Sequence, residues 1–104
     1  MCIYEVNLQI SNPILATYRE WLNEHIQKIL KLEGFLTAHL FLVQEPEPKM
    51  GTTQLCVQYQ LRDQAALTRY LREDAPRLRA EGTQLFGDQA QATRRVLVHN
   101  PLLT

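Results

Sequence analysis

Apolar and polar residues alternate from position 2 to position 10, with Tyr4, Val6, Leu8 and Ile10 on one side and Glu5, Asn7 and Gln9 on the other. A period of two over that length predicts a strand with one buried face. Ser11-Asn12-Pro13 follows and predicts a helix start, since Ser or Asn can accept from the free N–H groups of a first turn and Pro is tolerated there. Leu15, Tyr18, Leu22, Ile26 and Ile29 then recur at helical spacing up to Gly34, a residue suited to a left-handed helix end. Glu24 and Lys28 stand four apart in the order that favours a surface ion pair.

Alternation returns over 35–44, placing Leu36, Ala38, Leu40 and Leu42 inward and Thr37, His39 and Phe41 outward. Two prolines and a glycine in EPEPKMGT (45–52) mark a loop. A third strand spans 53–61, with Leu55, Val57, Tyr59 and Leu61 opposing Gln54, Cys56, Gln58 and Gln60. Asp63 can cap the next helix, which turns Leu67, Tyr70 and Leu71 inward. Pro76 kinks that helix or starts another, and Leu78, Leu85 and Phe86 extend the apolar face to Gly87. Gly82 costs about 1 kcal/mol relative to alanine, which predicts a looser segment. A last strand covers 90–99, with Ala92, Arg94, Val96 and Val98 on one side, and NPLLT is a short tail.

The order β-α-β-β-α-β predicts an α+β, ferredoxin-like domain over residues 1–104. Both helices then pack on one face of a four-stranded antiparallel sheet. The opposite face carries Ile3, Glu5, Asn7, Thr37, His39, Phe41, Cys56, Gln58, Thr93, Arg95 and Leu97. That mixture is too polar for a dry core, yet it contains three large apolar residues. A second copy covering it, with the two sheets facing each other, is the expected arrangement.

Composition narrows the function classes. Eleven basic and eleven acidic residues cancel, so no overall field draws the chain to nucleic acid or an anionic membrane. No apolar run approaches the ~20 residues of a membrane-spanning helix, and the N-terminus lacks a secretory pattern. Cys2 and Cys56 fall on opposite faces of the sheet and form neither a disulfide nor a metal motif. A reducing, cytoplasmic setting without a metal or cofactor is expected. The outward side of the third strand has no aromatic residue on which a base could stack, which argues against RNA recognition.

Several short stretches carry a resemblance: YEV at 4–6, WLNEHI at 21–26, GF at 34–35, VQY at 57–59, YLREDAPRLR at 70–79, FG at 86–87 and RRVL at 94–97. Together they resemble a small bacterial domain family of unknown function related to the dimeric α+β barrel superfamily. That superfamily includes cofactor-independent monooxygenases, haem-degrading enzymes and muconolactone-isomerase-like proteins. The resemblance covers nearly the whole chain. It implies a homodimer and assigns no activity.

The candidate ligand-binding residues are Glu5, Asn7, His39, Cys56, Gln58 and Arg95 on the open face. Glu5 in mid-strand needs a partner to be buried, and the expected strand order sets Arg95 beside it as a salt bridge or a ligand-binding pair. His39 and Cys56 could form a thiol–imidazole couple, but no third group orients them. Trp21 and His25 are secondary candidates. His25 falls about 60° from Leu22 on a helical wheel, so it packs at the helix–sheet boundary or serves as a general base in a pocket walled by Trp21. Tyr4 and Tyr59 point to the helices with their hydroxyls at the sheet rim. Arg69, Arg72, Arg77 and Arg79 read as a solvated face. The leading expectation is a dimeric small-molecule-binding protein, a cofactor-independent oxygenase or isomerase for a hydrophobic or aromatic ligand. The alternative is a non-enzymatic module for dimerisation, ligand sensing or partner interaction.

Overall fold

In the computed structural model, which describes residues 1–102, the opening alternation becomes strand β1, Cys2–Ser11. Cys2, Tyr4, Leu8 and Ile10 on one side of it are buried. A 3-10 turn, Asn12–Ile14, leads into helix α1, Leu15–Leu30. Ser11 ends the strand instead of capping the helix; its side chain makes no capping bond, and Pro13 occupies the first turn. The rest follows as β2 (Phe35–Leu42), β3 (Thr52–Leu61), α2 (Gln64–Glu73), α3 (Ala75–Phe86), a 3-10 turn (Gly87–Gln89) and β4 (Ala90–Val98). Of the NPLLT tail, residues 103 and 104 lie outside the described residues.

The sheet runs β2-β3-β1-β4 with every neighbouring pair antiparallel. This is the expected ferredoxin-like arrangement, with the second crossover divided into two helices. Tyr4, Leu8, Leu55, Val57, Tyr59 and Leu61 form the inner face of the sheet, and Tyr18, Leu22, Ile26, Ile29, Leu67, Tyr70 and Leu78 close over it. Asp63 caps α2 as expected, its Oδ1 accepting from the Ala66 N–H at 2.9 Å. Pro76 would have lost a hydrogen bond and clashed inside a continuous helix. The chain therefore breaks at Asp74 and restarts with Pro76 in the first turn of α3.

The structure corrects several inward assignments. A bulge between Phe35 and Thr37 puts Phe35, not Leu36, opposite Leu61 on the inner face. Phe35 is buried edge-on against Tyr59 and Tyr70, while Leu36 is 55% exposed. Two adjacent apolar residues gave the alternation no means of choosing between them. Leu40 and Leu42 keep the inner side but stay exposed, because β2 is an edge strand. Leu71 and Leu85 are also exposed; Tyr70 and Phe86, one residue away from each, take the inward positions. Strand β2 ends at Leu42 and β4 at Val98, each slightly shorter than the alternation suggests. Lys28 pairs with Glu81 of α3 at 3.4 Å, tying the two helices together where a pair with Glu24 was expected.

Gly34 sets how closely α1 and α2 approach. Its φ is +89°, and a Cβ there would collide with the Ala66 side chain at the start of α2. The Arg62 N–H donates to the Gly34 carbonyl at 2.8 Å, so the turn is held on both sides. Gly34→Ala should combine a left-handed backbone penalty of ~1–2 kcal/mol with overpacking of similar size, a loss of roughly 2–4 kcal/mol. Urea denaturation measures this, and a loss below ~1 kcal/mol would show that the turn relaxes freely.

Candidate functional site

The open sheet face holds a polar cluster centred on Glu5. The register sets Glu5 between Gln58 and Arg95, and the residue is only 3% exposed. Its Oε1 accepts from Gln58 Nε2 at 2.9 Å, and its Oε2 accepts from Asn7 Nδ2 at 2.9 Å. Arg95 donates to both oxygens, from Nε to Oε2 and from Nη2 to Oε1. The Arg95 guanidinium holds the carboxyl down at about 2 against the opposing effect of burial, with the two amides assisting. A carboxylate with all its acceptor positions in use is a poor base.

Of the other two candidates on this face, Cys56 lies against the Glu5 carboxylate and His39 stays outside the network. Burial pushes the Cys56 thiol up, and the charge of Glu5 adds to the effect, so it is not a thiolate nucleophile. His39 lies across from Gln58 but is exposed and stacks on Phe41, with ring centres 6.4 Å apart.

A second arrangement lies on the helix side, in a cavity of about 90 Å³ between α1, α3 and the sheet. Helix α1 contributes Tyr18, Trp21 and His25; α3 contributes Arg79, Gly82 and Thr83; the sheet contributes Tyr4, Tyr59, Ala92 and Arg94. His25 stacks on Trp21 at 4.5 Å and 22°, and Trp21 in turn meets Tyr18 and Phe86. The two secondary candidates are thus brought together as pocket wall.

Two polar atoms of this wall are buried without a hydrogen-bond partner: His25 Nδ1 and Arg79 Nε. Burial pushes His25 down to about 4, the nearby Glu81 opposing that and Lys28 and Arg94 adding to it. At neutral pH its imidazole is uncharged. Burial also raises Tyr18 and Tyr70 to about 12, so both phenols remain neutral. A larger cleft of about 210 Å³, beside Glu33, Arg69 and Glu73, holds charges already paired with one another at 2.8 and 3.0 Å.

Arg79 is a correction to the sequence reading, being part of this wall and not of a solvated face. Its Nη2 donates to the Tyr4 hydroxyl at 2.8 Å, which also moves that hydroxyl from the expected sheet rim into the interior. A signal for it was present: Arg79 and Gly82 follow buried Ala75 at i+4 and i+7, on the inward stripe that ends at Phe86. Gly82 does not loosen α3. A Cβ there would stand 2.9 Å from Trp21 Cη2, so the missing side chain is the seat of the indole.

Among the described residues no group of three or more His, Cys, Asp or Glu side chains is placed to hold a metal ion. None of the described helices is long and apolar enough to cross a membrane.

A family model described as Domain of unknown function (DUF4286) matches residues 1–100. The chain belongs to this family. Among curated proteins, none matches it by sequence. Solved structures do match in fold. A candidate antibiotic biosynthesis monooxygenase from Deinococcus radiodurans superposes with a TM-score of 0.74 at 13% identity, covering 100% of this chain and 97% of its own. A dimeric ferredoxin-like protein from an uncultured marine organism gives 0.68 at 16%, covering 97% and 98%. A mutant of SnoaB, a cofactor-independent oxygenase from Streptomyces nogalater, gives 0.66 at 15%, covering 98% and 96%. At these identities the likeness establishes the ferredoxin-like fold of the DUF4286 chain.

The two ionisable groups give acid sensitivity in separate windows. For His25 the folded pKa of about 4 lies below its ordinary 6.5, so between those values the unfolded chain binds the proton the folded chain refuses. Stability is full above pH 6.5 and falls as pH drops towards 4, by roughly 2–3 kcal/mol. Glu5 has the same sign in a lower window: its stabilisation is present above pH 4.5 and disappears as pH falls towards 2. Urea midpoints measured from pH 7 to pH 4 should show the upper loss in the wild type and a nearly flat line for His25→Gln. Equal slopes in the two proteins would contradict the burial of a neutral His25.

Proposed function

We propose that the protein binds a small hydrophobic or aromatic molecule in the helix-side pocket and acts on it as a cofactor-independent oxygenase or isomerase. The observation that carries this reading is the pair of buried, unpartnered polar atoms on an aromatic wall, His25 Nδ1 and Arg79 Nε. Buried polar atoms are almost always hydrogen-bonded, and a lined cavity with a few unmet polar groups is the general form of a ligand site. Uncharged His25 is an acceptor suited to a hydrogen bond from a ligand hydroxyl, which polarises that O–H bond. The size of the pocket limits the ligand. A cavity of about 90 Å³ is well below the ~300 Å³ of sites for larger ligands. One ring fits best, with its substituents towards exposed Thr83 and Arg94.

The open sheet face supports the second half of the proposal, a homodimer with the sheets facing each other. Phe41 there is 48% exposed, and Ile3 and Leu97 stand opposite each other in the register. Both oxygens of Glu5 already have partners and Arg95 balances its charge, so a second copy can cover the carboxylate without stranding it. The dimeric ferredoxin-like structural relative is consistent with that assembly. The same self-contained network favours the alternative reading, in which the chain is a non-enzymatic dimerisation module.

Native mass spectrometry of the freshly purified protein separates the two readings. The ligand-binding reading expects about twice the chain mass of 12.1 kDa together with a retained small molecule. His25→Gln should lose that molecule while changing stability by only ~1–3 kcal/mol. Phe41→Glu should weaken association. A micromolar monomer would remove the dimer, and a folded His25→Gln protein that keeps its ligand would remove the pocket.

A further inference from the structure

We infer that the ligand of this pocket is a single-ring carboxylate, its negative group held by Arg79 and by Arg94 at the mouth. The inference rests on the pocket reading above and adds the charge of the ligand. Most arginines of α2 and α3 have a carboxylate at hand: Arg69 pairs with Glu33 and Glu73, Arg72 with Glu73, and Arg77 with Asp74. Arg79 and Arg94 pair with none among the described residues, and both line the same cavity. Glu81, the acid whose charge reaches His25, is held by Lys28 at 3.4 Å.

Among the described residues the Arg79 side chain has one partner, the neutral hydroxyl of Tyr4, which satisfies a donor without neutralising the charge. A cation at this half-buried position is favoured by an anion beside it. Its Nε–H is buried without a partner, and a planar fork of N–H donors matches the two oxygens of a carboxylate. The remainder of the wall is aromatic, with Tyr18, Trp21 and Tyr59 suited to a flat apolar ring. Ring recognition and anion recognition therefore meet in one small space. Inorganic phosphate would use the second without the first.

Trp21 is the single tryptophan of the chain and forms part of the wall, so its fluorescence reports on this site alone. The test is titration of the full-length protein with benzoate, with uncharged benzyl alcohol and with inorganic phosphate at constant ionic strength. Benzoate should change the emission saturably and bind about tenfold or more tightly than benzyl alcohol, as a charge-assisted hydrogen bond implies. Arg79→Gln should abolish that preference, and Arg94→Gln should weaken benzoate severalfold while leaving benzyl alcohol unchanged. Benzyl alcohol binding as tightly as benzoate would overturn the anion and leave the pocket a ligand seat. Phosphate matching benzoate would overturn the ring-bearing ligand. If no probe binds, both the inference and the pocket reading fall. Should Arg79→Gln not fold once Tyr4 loses its donor, the wild-type preference and the exposed Arg94→Gln variant still decide the matter.

Discussion

A slip of one residue in β1 would turn Glu5 among the tyrosines and Tyr4 among the glutamines. This strand lies between β3 and β4 and is paired on both sides over residues 2–10, so its register fixes that of the whole sheet. Both of its faces oppose the slip. On one, Tyr4, Leu8 and Ile10 would leave the core; on the other, Glu5 would lose Arg95 and Gln58 and be buried without them. Apolar burial and a buried ion pair are thus satisfied by the same pairing. The helices then close over whichever side carries the tyrosines.

The two faces of the sheet treat charge in opposite ways. Around Glu5, donors and acceptors are matched within one chain, and the group is held ionised far below neutrality. Under the helices, His25 is kept neutral by desolvation, and among the described residues the Arg79 side chain meets only the Tyr4 hydroxyl. The first arrangement is complete as it stands and suits a surface that another molecule can cover. The second is incomplete, and polar groups left incomplete in a low-dielectric space interact strongly with whatever enters it.

Packing around Trp21 links stability to the pocket. The indole is clasped by Tyr18, His25 and Phe86, and it rests on the bare backbone of Gly82. Alanine at position 82 would gain about 1 kcal/mol in helix propensity but would intrude on the ring. Lys28 and Glu81 fasten α1 to α3 at the same level, though as an exposed pair they contribute little by themselves. The aromatic contacts and the bare backbone of Gly82 shape this wall of the pocket.

Alternation over residues 2–10 and 53–61, the helical stripe from Tyr18 to Ile29, and the Asp63 cap were legible along the chain because each depends on a local period or a local hydrogen bond. Strand order and parity followed from them, and with these came the meeting of Glu5 and Arg95 and the separation of Cys2 from Cys56. The choice of Phe35 over Leu36 was not legible, since a bulge is decided by what lies across the strand pair. Nor was the seat of Trp21 on Gly82, or the turn of Arg79 towards Tyr4, because these partners are 61 and 75 residues apart in sequence. Periodicity assigns a residue to a face, but it does not say how much of that face another helix covers. Only the packed arrangement of α1, α3 and the sheet decides which polar atoms find partners, and it left His25 Nδ1 and Arg79 Nε without them.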